Sequence, residues 1–94
     1  ELVSIFLDDA PRQVEEIREA IARADPRAVE QLGHSLKGSA RNLSARPVAD
    51  AAHKLEMMGR SGDLLEGEVA VQQLASELAR FSAHVQQLKW DGRA

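Results

Sequence analysis

The stretch PRAVEQLGHSLKGSARNL at residues 26–43 has the apolar spacing of an amphipathic helix. At ~100° per residue, its apolar and small side chains fall within about 100° of one another. These core-facing positions are Val29, Leu32, Leu36, Ser39, Ala40 and Leu43. Asp25 is suited to cap the start of this helix, and Pro26 to occupy its first position. The stretch therefore predicts one helix of a packed helical domain.

The segment before Asp25 predicts a first helix whose apolar seam repeats at alternating intervals of four and three residues. The seam consists of Val3, Leu7, Ala10, Val14, Ile17, Ile21 and Ala24. Pro11 lies in its middle, and a proline inside a helix costs about 3 kcal/mol. Because the seam keeps its phase across Pro11, we expect a first helix that is kinked or split at this residue.

Two further helices follow residue 43. Residues 44–46 predict a turn, residues 47–59 a third helix ended by Gly59, and residues 66–88 a fourth helix. Short connections between amphipathic helices favour antiparallel neighbours. The predicted fold class is therefore all-α, an antiparallel four-helix bundle.

Composition and charge limit the class of protein. The 94-residue chain has no cysteine, which excludes disulfides and thiolate zinc sites, and so few aromatic residues that its core must be aliphatic. A net charge of −3 without a basic run gives no support for nucleic-acid binding. No stretch approaches the ~20 apolar residues of a membrane span, and no signal-peptide pattern is present, so the expected location is cytoplasmic.

The chain is short enough to form one domain. We expect that domain over residues 1–89 and a tail or linker remnant over residues 90–94. The sequence starts at Glu1 rather than methionine, which favours a piece of a longer chain, such as the end of a hybrid sensor kinase.

His34 is the residue that points to chemistry. It lies about 165° from the middle of the core-facing arc, so we expect its side chain to face solvent. Lys37, Gly38 and Arg41 lie on the same outward side, with Glu30 one turn before. A glycine inside a helix costs ~1 kcal/mol relative to alanine, and no core packing requires one at Gly38. Close approach of another macromolecule would explain it.

A solvent-facing imidazole suits phosphoryl transfer, because its neutral form is a nucleophile near pH 7. The reaction depends mainly on positioning and charge stabilisation. Lys37, three residues after His34, can reach phosphoryl oxygens, and Arg41 can assist, although an ordinary solvated helix face explains Arg41 equally well. His53 and His84 lack these companions and are interpreted as surface or boundary residues, with His53 also suited to line a docking surface.

The motif HSLKGSA at residues 34–40, followed by NLSA at residues 42–45, resembles the signature of histidine phosphotransfer domains. That signature reads roughly A-H-x-L-K-G-S-[AS]-x-x-[LIF]-G-A. The resemblance extends over nearly the whole chain, through FLDDAP at 6–11, AD at 24–25, LE at 55–56 and GRSGD at 59–63. Two small residues depart from it: Gly33 replaces an alanine and Ser44 a glycine. We expect Gly33 to loosen the helix beside His34, and Ser44 puts a left-handed turn residue in doubt.

The resemblance implies a phosphocarrier of a multistep two-component phosphorelay, which exchanges a phosphoryl group with receiver-domain aspartates. His34 would accept the group through Nε2, Lys37 would steady its charge, and Gly38 would leave room for the receiver. The expected partner-binding residues are Gly38, Arg41, Glu30 and Gln31. No cofactor is expected on this chain, and Mg²⁺ is expected in the acidic site of the partner receiver.

Two other functions stay open. The first is a non-catalytic helical docking module for receivers or other signalling partners, in which His34 is incidental. The second, a metal-binding bundle, is weaker, because no E-x-x-H or H-x-x-x-H pair projects inward from any helix. The chain has no glycine-rich phosphate loop, so we do not expect autonomous kinase activity. A covalently linked sensor kinase would be a second phosphoryl donor, and a monomer is expected.

Overall fold

The structure, a computed structural model, describes residues 2–91 of the chain, with side chains through Leu88. In that range it contains four helices and no strand. The helices are α1 (Leu2–Ala22), α2 (Pro26–Asn42), α3 (Arg46–Ser61) and α4 (Gly67–Asp91). Each helix packs against its neighbour in the chain, and α4 packs back against α1, which closes the bundle. The predicted all-α fold is confirmed.

Helices α1 and α4 run antiparallel, as two contacts between them show. Near the start of α1, the ring of Phe6 meets that of Phe81 edge-on, with centroids 5.9 Å apart. Near its end, Arg18 Nε lies 3.4 Å from Glu68 Oε2 at the start of α4. The start of α1 therefore lies beside the middle of α4, and the end of α1 lies beside the start of α4.

Pro11 lies inside the single helix α1, so of the two predicted alternatives, a kinked helix or a split one, the split is wrong. Ala10 and Val14 on either side of it are buried in the same core. The buried face of α1 therefore continues past Pro11, although proline has no backbone N–H to donate to the helix.

In the α2–α3 turn, a residue other than glycine adopts the left-handed backbone conformation. Ser44 has φ 59°, so the doubt raised by its replacement of glycine is removed. Ala24, in the α1–α2 turn, has φ 56°. Each such residue costs roughly 1–2 kcal/mol, which the packing of the flanking helices offsets.

The end of α3 differs from the prediction. Gly59 was expected to end this helix but lies inside it, buried. The helix continues to Ser61, and Gly62, with φ 85°, is the left-handed cap whose N–H donates to the carbonyls of Met58 and Gly59. Gly59 therefore has a packing role, described below.

The core is mainly aliphatic, with Phe6 as its one buried aromatic residue in the described part of the chain, and α4 extends beyond it. Val71, Leu74 and Leu78 are buried, whereas Leu88, placed on the predicted seam, is 56% exposed. The helix ends at Asp91, so the predicted tail at 90–94 begins within α4, and residues 92–94 lie outside the described part of the chain.

Across residues 2–91, none of the helices combines the length and the apolar character needed to cross a lipid bilayer.

Candidate functional site

Two glycines bring the backbones of α2 and α3 unusually close. A Cβ atom added at Gly33 would lie 2.8 Å from the backbone nitrogen of Glu56, and one added at Gly59 would lie 2.5 Å from the carbonyl oxygen of Pro26 and closer still to the nitrogen of Glu30. Real Cβ atoms do not approach backbone atoms so closely. Gly33 was expected to loosen α2; it is buried instead and permits close packing against α3.

This close approach places the side chain of Glu56 beneath the outer face of α2. Glu56 is 3% exposed and is the one buried charged residue in the described part of the chain. Its carboxylate lies where α2 presents His34 and Lys37. The two glycines thus determine where the negative charge of the site lies.

His34 faces solvent, as predicted, with 70% of its side chain exposed. Its Nδ1 lies 3.0 Å from Oε2 of Glu56. A carboxylate can only accept a hydrogen bond, so Nδ1 carries the hydrogen and donates it. In the neutral ring the lone pair is then on Nε2. Glu56 therefore selects the tautomer in which the outer nitrogen, Nε2, carries the free lone pair.

Lys37 was expected on the outward side, free to meet phosphoryl oxygens. Its side chain is only 12% exposed, and its Nζ lies 2.6 Å from Oε1 of Glu56. The reason is that its position, three residues after His34, faces the α2–α3 boundary, where the carboxylate attracts the ammonium group. Lys37 is thus paired within the chain, one helical turn from the imidazole.

The pKa of Glu56 is held at about 2, below its ordinary value of 4.5. The main cause is the Lys37 ammonium, and the hydrogen bond from His34 adds to it. Burial acts in the opposite direction and raises the pKa, but its effect is smaller than that of the partners together. The carboxylate is therefore ionised at any pH near neutrality.

This depressed pKa predicts a pH dependence of stability. The folded state binds the Glu56 proton less readily than the unfolded state, so the carboxylate stabilises the fold fully above about pH 4.5 and loses that effect as the pH falls towards 2. We expect wild type to exceed Glu56→Gln in free energy of unfolding near pH 7, with the difference shrinking below pH ~4.5. Urea denaturation of both proteins from pH 2.5 to 7 measures it. A difference that does not change with pH would contradict this role of Glu56.

Two more side chains complete the cluster around Glu56. Arg60 connects the two helices, with Nε 3.0 Å from Oε2 of Glu30 and Nη2 3.4 Å from Oε2 of Glu56. His53, interpreted from sequence as a surface residue, has 46% of its side chain exposed, yet its Nδ1 lies 3.5 Å from Glu56 Oε1. We call the five side chains His34, Lys37, His53, Glu56 and Arg60 the Glu56 cluster.

The predicted partner-binding residues lie around His34. Gly38 has open space beside it, since an added Cβ would meet no atom within 4 Å. Gln31 and Arg41 are exposed. Glu30 differs from them, because its carboxylate is already paired with Arg60. Gly38, Gln31 and Arg41 are therefore accessible on the outer face of α2, whereas the Glu30 carboxylate is already paired.

Sequence reasoning missed Glu56 as a functional residue. It entered only as part of the LE motif at residues 55–56. A signal was present: Glu56 lies four residues after Ala52 and three before Gly59, two small residues that are both buried. A carboxylate on the small-residue face of a helix indicates a buried ion pair with the neighbouring helix.

Within residues 2–91, no group of three or more histidine, aspartate or glutamate side chains is arranged to hold a metal ion. The histidines nearest to Glu56 share its carboxylate with Lys37 and Arg60. In the described structure, Glu56 is the only carboxylate that these histidines reach, and the cationic side chains of Lys37 and Arg60 already lie against it.

Comparison with known proteins assigns the chain to a family. The family model "Hpt domain" matches residues 1–84. Among solved structures, the chain is similar to histidine-containing phosphotransfer protein B (HptB) from Pseudomonas aeruginosa PAO1, with a TM-score of 0.89 and 24% sequence identity over 96% of this chain and 78% of that one. That likeness establishes the fold, and no curated protein matches the sequence. Since the family model covers most of the chain, the protein belongs to the Hpt family of histidine phosphotransfer domains, the phosphocarriers of phosphorelays.

Proposed function

We propose that this domain carries its phosphoryl group on Nε2 of His34 and exchanges it with the aspartates of response-regulator receiver domains. The observation that supports this most directly is the hydrogen bond of 3.0 Å from Nδ1 to Glu56, on an imidazole that is otherwise 70% exposed. One ring nitrogen is fixed by the protein, and the other is left to react.

The proposed step balances without a separate base. The Nε2 lone pair attacks the phosphorus of a receiver aspartyl phosphate, an N–P bond forms, and the P–O bond breaks to release the aspartate carboxylate. No proton has to leave, because the hydrogen stays on Nδ1. The imidazole ring becomes positively charged, and Glu56 lies against that charge. Mg²⁺ would be held by the receiver, not by this chain.

Glu56 stabilises the phosphorylated ring more than the free one. The neutral imidazole donates an ordinary hydrogen bond to the carboxylate, whereas the phosphorylated ring adds a charge–charge attraction. Lys37 supplies the opposite charge beside the phosphoryl oxygens once its pairing with Glu56 loosens. In this scheme the carboxylate supports the ring and the ammonium supports the transferred group.

The test is transfer from a phosphorylated receiver domain to the intact chain. We expect label that is labile in acid and stable in alkali, and mass spectrometry that locates it on His34. Receiver binding without any label transfer would instead support the docking module, and label on His53 or His84 would overturn the assignment of the acceptor.

Gly38 provides a prediction about receiver docking. Replacing it with leucine adds a side chain in open space on the face that carries His34, so folding is expected to be retained while phosphotransfer slows by about tenfold or more. The rate of phosphotransfer is measured in quenched time courses with a phosphorylated receiver, and folding is measured by thermal melting. Gly38→Ala, which adds a single methyl group, serves as the size control and should transfer nearly as fast as wild type. A leucine variant that transfers normally would remove Gly38 from the docking surface.

A further inference from the structure

His53 and Arg60 are the members of the Glu56 cluster that the proposed transfer step does not use, and of the two only His53 also contacts Lys37. Its Nδ1 lies 3.5 Å from Nζ of Lys37 and 3.5 Å from Oε1 of Glu56. Those two atoms are themselves 2.6 Å apart. One ring nitrogen of His53 therefore faces both members of a close ion pair, at equal distance.

The charge of His53 determines which member of this pair it favours. A neutral ring with its lone pair on Nδ1 can accept a hydrogen from the ammonium, which keeps Lys37 beside Glu56. An imidazolium has a hydrogen on Nδ1, so it repels the ammonium and attracts the carboxylate. The two protonation states therefore act on Lys37 in opposite directions.

The surroundings of His53 contain few competing charges. From α2 it is faced by Lys37 and, across the carboxylate, by His34. From its own helix it is faced by Glu56 and, behind that carboxylate, Arg60, with Asp50 one turn before on the exposed side. In the described residues, no charged side chain of α1 or α4 pairs with the Glu56 cluster. Lys37 and Glu56 are thus the groups through which His53 acts.

We propose that His53 is a positioning residue that controls where the Lys37 ammonium lies. Neutral His53 holds Lys37 on Glu56, and protonated His53 takes its place on the carboxylate and releases Lys37 towards the phosphoryl group on His34. The second half of this statement rests on the proposed function of His34. The half-exposed position of His53 leaves it open to protons from solvent.

The first test uses the unphosphorylated protein and does not depend on phosphotransfer. NMR of the Lys37 side chain, followed from pH 5 to 8.5, is expected to shift with the same midpoint as the His53 ring. The part of the shift that follows the His53 ring should disappear in His53→Gln, whose side chain cannot take up a proton. A Lys37 signal that stays constant through the His53 titration, or one that still shows this part of the shift in His53→Gln, would overturn the proposal.

The second test measures the lifetime of phosphohistidine. Wild type and His53→Gln are expected to lose the phosphoryl group at equal rates at pH 8.5, whereas at pH 6 wild type should lose it roughly threefold more slowly, the size of a partly exposed ion-pair effect. In His53→Arg, where the side chain is a permanent cation, phosphohistidine should last longer than in His53→Gln at both pH values.

The Lys37→Ala variant tests whether His53 acts through Lys37 or through a general effect on the structure. In that background the differences among the His53 variants should vanish, as a double-mutant cycle measures. A difference that persists without Lys37, or a ratio of rates that does not vary with pH, would contradict the proposal. Failure of the chain to take up phosphoryl groups at all would count against the proposed function, while the NMR result would still decide the role of His53.

Discussion

Replacing His34 with glutamine is expected to abolish phosphoryl acceptance while the bundle stays folded. Transfer should fall below detection, because glutamine has no nucleophilic nitrogen. The free energy of unfolding should change by less than about 1 kcal/mol, since the side chain is 70% exposed and one hydrogen bond is at stake. The glutamine amide can also donate to Glu56, which keeps Lys37 and Arg60 as its partners. Transfer assays with a labelled receiver and urea denaturation measure both quantities.

His84→Gln is the matched control for this substitution. His84 is an exposed histidine on α4, outside the Glu56 cluster, so its replacement should leave both transfer and stability unchanged. If His34→Gln still accepted the phosphoryl group, or if His84→Gln lost that ability, the phosphoacceptor would have to be assigned elsewhere.

Gly59→Ala is expected to destabilise the domain by about 3 kcal/mol, a large effect for a single methyl group. The added Cβ would overlap backbone atoms of Pro26 and Glu30 in α2, and backbone cannot rotate away as a flexible side chain can. The two helices must separate, which weakens the ion pair between Glu30 and Arg60 and the contacts around Glu56. Chemical denaturation measures the loss, and a decrease in phosphotransfer rate should accompany it.

Gly38→Ala is the matched comparison, and its effect on the free energy of unfolding is expected to have the opposite sign. Both glycines lie inside helices, but an added Cβ at Gly38 meets no atom within 4 Å. Alanine there should stabilise the domain by about 0.5–1 kcal/mol through helix propensity. Equal effects of the two substitutions would mean that the close approach of α2 and α3 at Gly59 does not contribute to stability.

Apolar periodicity, together with turn and cap residues, predicted the four helices, and periodicity within α2 predicted the outward direction of His34. Both follow from the positions of apolar residues within one helix, such as Val29 and Leu36, which are fully buried. A local pattern of this kind needs no knowledge of the neighbouring helix. The Asp25 cap is equally local: its side chain accepts a hydrogen bond from the backbone nitrogen of Ala28, as expected at the start of α2.

The features of the site that sequence reasoning missed depend on the distance between α2 and α3. Gly59 was assigned to a helix end, although a glycine that caps a helix and one that admits a neighbouring backbone are identical in sequence. The pairing of Lys37 with Glu56 joins residues on two helices, and their approach is set by Gly33 and Gly59. Such contacts depend on how two faces meet, and the pattern within either helix does not report that.

The exposure of His34 also has a kinetic consequence. Within the described residues, the His34 side chain is 70% exposed, so under the proposed function this part of the chain would do little to keep water from a phosphoryl group on Nε2. Storage time is then governed by the intrinsic lability of the N–P bond and by the charges beneath the ring. A partner that covers α2 would exclude solvent only during the encounter, so a phosphoryl group on His34 would be better suited to rapid transfer than to long storage.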